Sequence, residues 1–231
     1  MKHDEPRIGR TGHPRYRGFV GPPLDYDLIA GLQFALLFYA GLREDNLLLD
    51  LGCGSLRGGR LFIPYLKPER YYGVEPNEWL IEEGLAYELG HDIVKIKRPT
   101  FSSIADFSLG SLGVRFDFVL AQSIVSHTYD DLTLKAFTGV RDCLAERGVL
   151  VATFQESDQP REGAGWSYPD PVPYRWPEME GLAESAGLAV RRLAWPHPRQ
   201  TWFVGALERD RVDEVAEAVS GPYPSLRPPG G

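Results

Sequence analysis

Cysteine is scarce in this chain of 231 residues: only Cys53 and Cys143 occur, with no further cysteine or suitably spaced histidine beside either. That leaves no ligand set for a metal, so none is expected, and it fits a reducing compartment. No apolar run approaches the ~18 residues of a membrane helix. The start, Met1-Lys2-His3-Asp4-Glu5-Pro6-Arg7, lacks the hydrophobic centre of a secretion signal. A cytoplasmic protein that engages no membrane is therefore expected. Dense Lys/Arg clusters are missing as well: 25 basic against 32 acidic residues give a net charge of -7, no footprint for tracking phosphates, so no nucleic-acid partner is expected. Internal repeats and low-complexity runs are absent. At 43% hydrophobic content the chain can bury one sizeable core. We expect a flexible Arg/Gly/Pro-rich arm over residues 1–23, one domain over 24–209, and a C-terminal helix with a Pro/Gly-rich tail over 210–231.

What is present is a cradle. Leu47-Leu48-Leu49-Asp50-Leu51 suits a buried parallel strand, and Gly52-Cys53-Gly54-Ser55-Leu56-Arg57-Gly58-Gly59 follows as a glycine loop opening a helix. Gly52 and Gly54 let a ligand approach bare backbone at the helix N-terminus. The dinucleotide fingerprint places its third glycine at the sixth position, where this chain has Arg57, and the Gly-Lys-Ser/Thr ending of a triphosphate loop is missing. A second strand, Tyr71-Tyr72-Gly73-Val74-Glu75, ends in an acid at roughly the ~20-residue offset from the first glycine at which a carboxylate reaches a ribose diol.

In this order the motifs resemble the class I S-adenosylmethionine-dependent methyltransferases over roughly residues 25–208. The resemblance implies S-adenosyl-L-methionine as cofactor. Asp50, Gly52, Cys53 and Gly54 would pack against its amino-acid end, and Glu75, followed by Pro76 and Asn77, would accept hydrogen bonds from the ribose. Asp106, followed by Phe107, matches the position that commonly bonds the adenine amino group, and Gln122 and Ser123 match the wall between cofactor and acceptor. Where the family often has a third glycine, this chain has Ser55. The segment Arg15-Tyr16-Arg17-Gly18-Phe19 stands where the family often keeps a lid; its plain alternative is a frayed basic arm.

Strand and helix patterns alternate: a buried first helix over 27–39, strands at 47–51, 71–75, 101–104, 116–121, 148–154, 188–195 and 200–208, and helices to 66 and over 77–89, 130–145 and 177–186. This predicts an α/β fold with a doubly wound, Rossmann-like sheet whose ligands sit at the carboxyl ends of the strands. The linker around Pro196-His197-Pro198 is too short for a crossover, so the final strand is antiparallel. By the resemblance, that feature marks the class I methyltransferase fold. His197, between prolines, reads as a polar surface residue of a rigid turn. The stretch from Glu156 to Trp176 shows no secondary structure but holds two Trp and two Tyr, which suits a wall or lid over the site, or else an aromatic plug on the scaffold or a partner subunit.

Methyl transfer from a sulfonium needs an aligned acceptor and, for oxygen or nitrogen, removal of a proton. His127, just past the fourth strand, is the candidate base; its alternative is a structural role, bonding a loop carbonyl or capping the next helix. The function expected is methyl transfer to an oxygen or nitrogen of a small-molecule acceptor. The alternatives are a non-catalytic cofactor-binding scaffold and, against the glycine spacing, a nicotinamide oxidoreductase. The sequence leaves the acceptor and the oligomeric state open.

Overall fold

The structure is a computed structural model that describes residues 15–220. The beginning of the expected arm and the tail from 221 onward lie outside the described residues.

The chain enters through α1 (Tyr16–Phe19) and α2 (Tyr26–Tyr39), then alternates β1 (Leu48–Leu51), α3 (Gly59–Tyr65), β2 (Tyr71–Val74), α4 (Glu78–Gly84), α5 (Asp92–Lys97), β3 (Thr100–Ser102) and β4 (Phe116–Ala121). It continues with α6 (Asp130–Cys143), β5 (Leu144–Glu156), β6 (Pro173–Tyr174), α7 (Trp176–Ser185), β7 (Ala189–Leu193), β8 (Thr201–Ala206) and α8 (Arg209–Ser220). The sheet order is β3-β2-β1-β4-β5-β8-β7, with the short β6 paired to β5. β1 to β5 run parallel, whereas β8 lies antiparallel to both β5 and β7. The short linker therefore has the consequence its length demands.

Successive residues of a strand face opposite sides, and here both sides are apolar. On one face Leu49, Val119, Leu150 and Phe203 pack with Phe137 and Val140 of α6 and Met179 of α7. On the other, Leu48, Phe118, Val149 and Trp202 pack with Leu36 of α2, Phe62 of α3 and Val212 of α8. Covering helices on both faces leave ligand access at the ends of the strands.

Three local features differ from the sequence expectation. The helix expected over 77–89 is α4 followed by a π-helical turn, Leu85–Leu89, and α5 stands beyond it. The third strand is Thr100–Ser102, displaced toward the N-terminus of its expected span, because its pairing runs Tyr72 to Thr100 and Val74 to Ser102. The segment 156–176 contains β6 and an antiparallel bridge between Thr128 and Trp166, so it is tied to the scaffold through its backbone.

Candidate active site

A cavity of about 560 Å³ opens at the carboxyl ends of the central strands. That is a volume suited to a small ligand. Its floor is the loop after β1. Gly52 and Gly54 have φ of +70° and +52°, the left-handed region that disfavours side chains. A Cβ on Gly54 would come 2.7 Å from Val20 Cγ1, and one on Gly52 would collide with Ile124 Cδ1. The backbone N–H groups of Gly52 and Cys53 both donate to the carbonyl of Val74 (2.8 and 3.1 Å), which locks the loop over β2.

Of the residues singled out from sequence, Gly52, Gly54, Glu75, Pro76, Asn77, Phe107, Gln122, Ser123 and His127 all line this cavity. Glu75 is buried, and its Oε1 accepts from the backbone N and the side-chain Nδ2 of Asn77, both at 2.8 Å. Those bonds occupy one carboxylate oxygen and leave Oε2 for another donor. Phe107 and Ser123 have φ of +62° and +65°, a conformation non-glycine residues seldom hold without surrounding constraint.

Asp50, Cys53 and Asp106 stand outside the cavity wall. Asp106 is exposed, and its Oδ1 accepts from the backbone N and Oγ of Ser108 (3.1 and 2.6 Å), a local turn that draws the carboxylate aside. Cys53 is buried under the loop, with its thiol pushed well above its ordinary value by burial. Asp50 lies beneath the cradle and accepts a 2.8 Å hydrogen bond from the Tyr71 hydroxyl.

Burial raises the Asp50 carboxyl from its ordinary 3.8 to about 6, with Tyr71 and Arg57 pulling the other way. Because the folded value lies above the unfolded one, folding takes up a proton between them. This contribution to stability is complete below about pH 4 and is lost as pH rises through about 6, on the order of 3 kcal/mol. Asp50→Asn keeps an acceptor for Tyr71 and removes the buried charge. It is expected to be more stable than the wild type at pH 8, with the gap closing toward pH 4, as read by chemical denaturation across pH. A variant less stable than the wild type at pH 8 would refute this account.

His127 is buried at the rim. Its Nδ1 lies 3.1 Å from the main-chain carbonyl of Asp170, which can only accept, so the ring proton sits on Nδ1. Nε2 is then an acceptor, 3.4 Å from Ser123 Oγ. Burial lowers its pKa, which the Asp170 carbonyl opposes. The carbonyl bond foreseen as a structural role and the place in the cavity wall thus coexist.

The segment after β5 supplies Trp166, Tyr168, Pro169 and Pro171 to the wall. It is also pinned: Ser167 N donates to the His127 carbonyl (2.9 Å), Val172 N to that of Ser126 (2.7 Å), and Tyr129 N to that of Gly165 (3.0 Å). Trp166 stacks on Phe107, and Tyr168 meets both His127 and Phe19. Residues 19–22 complete the enclosure, with Phe19 against Tyr168. Just before them Tyr16 and Arg17 both bond Glu88, and Arg17 lies 4.5 Å from the centre of the Tyr26 ring.

Sequence reasoning missed two features of the wall. Arg57 is 8% exposed, its Nη1 donating to the Val20 carbonyl (2.9 Å) and an Nη2 to Gln122 Oε1. The only signal was a cation in the loop where the glycine spacing fails. His197, expected on the surface, faces the cavity instead: its Nδ1 accepts from the backbone N of Arg199 (3.1 Å) and Gln200 (2.9 Å), which folds the ring inward. Burial together with Arg57 and Arg199 lowers it to about 4.

Comparison with known proteins agrees with this geometry. Residues 49–150 match the family described as a methyltransferase domain. No curated protein matches the chain by sequence. Among solved structures, the chain is similar to magnesium protoporphyrin IX methyltransferase from Synechocystis PCC 6803 with bound S-adenosylhomocysteine (12% identity, TM-score 0.60, 80% of this chain and 84% of that one). It is similar also to an S-adenosylmethionine-dependent methyltransferase from Clostridium acetobutylicum ATCC 824 (14%, TM-score 0.58, 79% and 92%). A third is mitomycin 7-O-methyltransferase (14%, TM-score 0.61, 83% and 56%). At such identities the solved structures speak for the fold. The matched segment is a methyltransferase domain, and the fold is the one shared with S-adenosylmethionine-dependent methyltransferases of solved structure. Residues 49–150, which carry the match, run from the glycine strand to the start of the fifth strand's central pairing.

Proposed function

We propose that this enzyme methylates an oxygen or nitrogen of a small molecule, with His127 as the base. The observation that carries the reading is the His127 ring, oriented by the Asp170 carbonyl so that Nε2 is left as an acceptor in the wall of the cavity. The cofactor, when bound, supplies the electrophilic methyl group.

The residues present fit that cofactor. Gly52 and Gly54 would offer bare backbone to the amino-acid end, and Glu75 Oε2, beside the Oε1 that Asn77 holds, would accept from a ribose diol. Phe107 and Ile104 offer an apolar edge to adenine, with Asp106 just outside, its Oδ1 bonded to Ser108. Asp50 supports the loop from below through Tyr71. Residues 19–22 and residues 166–171, which meet through Phe19 and Tyr168, act together as a lid that excludes water and holds the acceptor against His127. A cavity covered in this way favours a small acceptor over a macromolecule. Among the described residues no helix is long and apolar enough to cross a membrane.

Titration calorimetry of Glu75→Ala with S-adenosylhomocysteine tests the cofactor assignment. Binding should weaken by about 1.5 to 3 kcal/mol, the scale of hydrogen bonds to a charged acceptor. Wild-type protein that gives no heat with this ligand but binds NAD would overturn the reading.

A further inference from the structure

Arg57 is a buried guanidinium whose two bonded partners, the Val20 carbonyl and the Gln122 amide, are uncharged, and its Nε has no partner among the described residues. Burial lowers it only to about 10, so it stays charged at neutral pH. A buried cation with no carboxylate bonded to it is costly, Asp50 acting on it only through space, and an incoming carboxylate would offset that cost. A second guanidinium, Arg199, lines the same cavity and is neutralised in part by Asp25. Gln122 links the two sides: it accepts from Arg57 and lies 3.3 Å from the ring of His197, which in turn accepts from the backbone of Arg199.

The place of Arg57 and Arg199 in the fold says which ligand they serve. Glu75 follows β2, on one side of the glycine loop, whereas His197 and Arg199 come from the β7–β8 linker, on the other side of β4 and β5. Arg199 therefore flanks the half of the cavity away from the ribose acid, and Arg57, at the end of the glycine loop, is joined to that half through Gln122. We propose that the acceptor is an anion, with a carboxylate or a group of like charge held between Arg57 and Arg199 while its nucleophilic atom faces His127. This rests on the methyl-transfer reading above. A planar carboxylate matches the guanidinium fork, and pinning one end of the acceptor fixes the other.

Calorimetry with 4-hydroxybenzoate and its neutral counterpart 4-hydroxybenzamide, on protein with and without S-adenosylhomocysteine, tests the proposal. The acid should bind about tenfold or more tightly than the amide, and Arg199→Gln and Arg57→Gln should each remove most of that preference while leaving amide binding unchanged. Arg199 is exposed enough that its variant folds even if the Arg57 variant does not. Equal binding of acid and amide, or no saturable binding of the acid, overturns the proposal. So does an Arg57→Gln variant that loses S-adenosylhomocysteine, keeps 5′-methylthioadenosine and retains the acid preference, for Arg57 would then hold the cofactor's own carboxylate. If the wild type binds neither nucleoside but still prefers the acid, the cofactor assignment has failed and the anion site stands.

Discussion

His127→Ala is expected to cut turnover by about 10² to 10⁴-fold while S-adenosylhomocysteine affinity stays near that of the wild type. The base works as the neutral ring, and burial holds its pKa below the ordinary histidine value of 6.5. Activity should therefore rise with pH along a limb centred below that value, and the variant should lose the limb. A histidine that merely bonds the Asp170 carbonyl gives another pattern: the variant would lose stability and cofactor affinity together, and its residual activity would keep the wild-type pH dependence. Acceptors that are already anionic at the reacting atom need no base, so a phenol and a more acidic analogue assayed side by side separate proton removal from positioning. A full rate on the phenol would remove His127 from the mechanism and leave the methyl-transfer chemistry in place.

Much of the scaffold could be read from local pattern. The leucine run, the glycines after it and the acid after the second strand are contiguous signals, and β1, the left-handed loop and Glu75 stand where those signals put them. The antiparallel β8 followed from chain length alone, since the 194–200 linker has no room for a crossover. What escaped depends on partners distant in sequence. His197 sits in a proline context that looks like surface, yet two backbone donors beyond it turn the ring inward. Arg57 looked like a flaw in a glycine pattern, and its partners, Val20 and Gln122, come from segments before and after it. Asp106 stands just outside the cavity wall, where its Oδ1 accepts from the backbone and hydroxyl of Ser108 two residues on, a turn signal also present in the sequence. Nothing local marked where the 77–89 helix would yield to a π-turn.

Replacing residues 160–170 by a short glycine-serine linker is expected to abolish turnover or redirect it to other acceptors, with cofactor affinity changed by less than about tenfold. The segment carries Trp166, Tyr168 and Pro169 of the cavity wall and the Asp170 carbonyl that fixes the His127 proton on Nδ1. Its removal opens the acceptor side to water and frees the ring to change tautomer, and the alignment lost can be worth ~7 kcal/mol or more of the barrier. The glycine loop and Glu75 follow β1 and β2, and the bonds that fix them run to Val74 and Asn77 on the opposite side from the segment's anchors on Ser126 and His127, so the cradle remains. Arg161 is the structural risk, because it bridges Asp130 and Glu178 at 2.9 and 2.6 Å and covers the Tyr174 ring. A control that keeps Arg161 and replaces only 164–170 separates the two roles. If that control also loses cofactor binding or unfolds, the segment is a plug that holds α6 and α7 together, and the acceptor must be positioned by the β7–β8 linker and residues 19–22 instead.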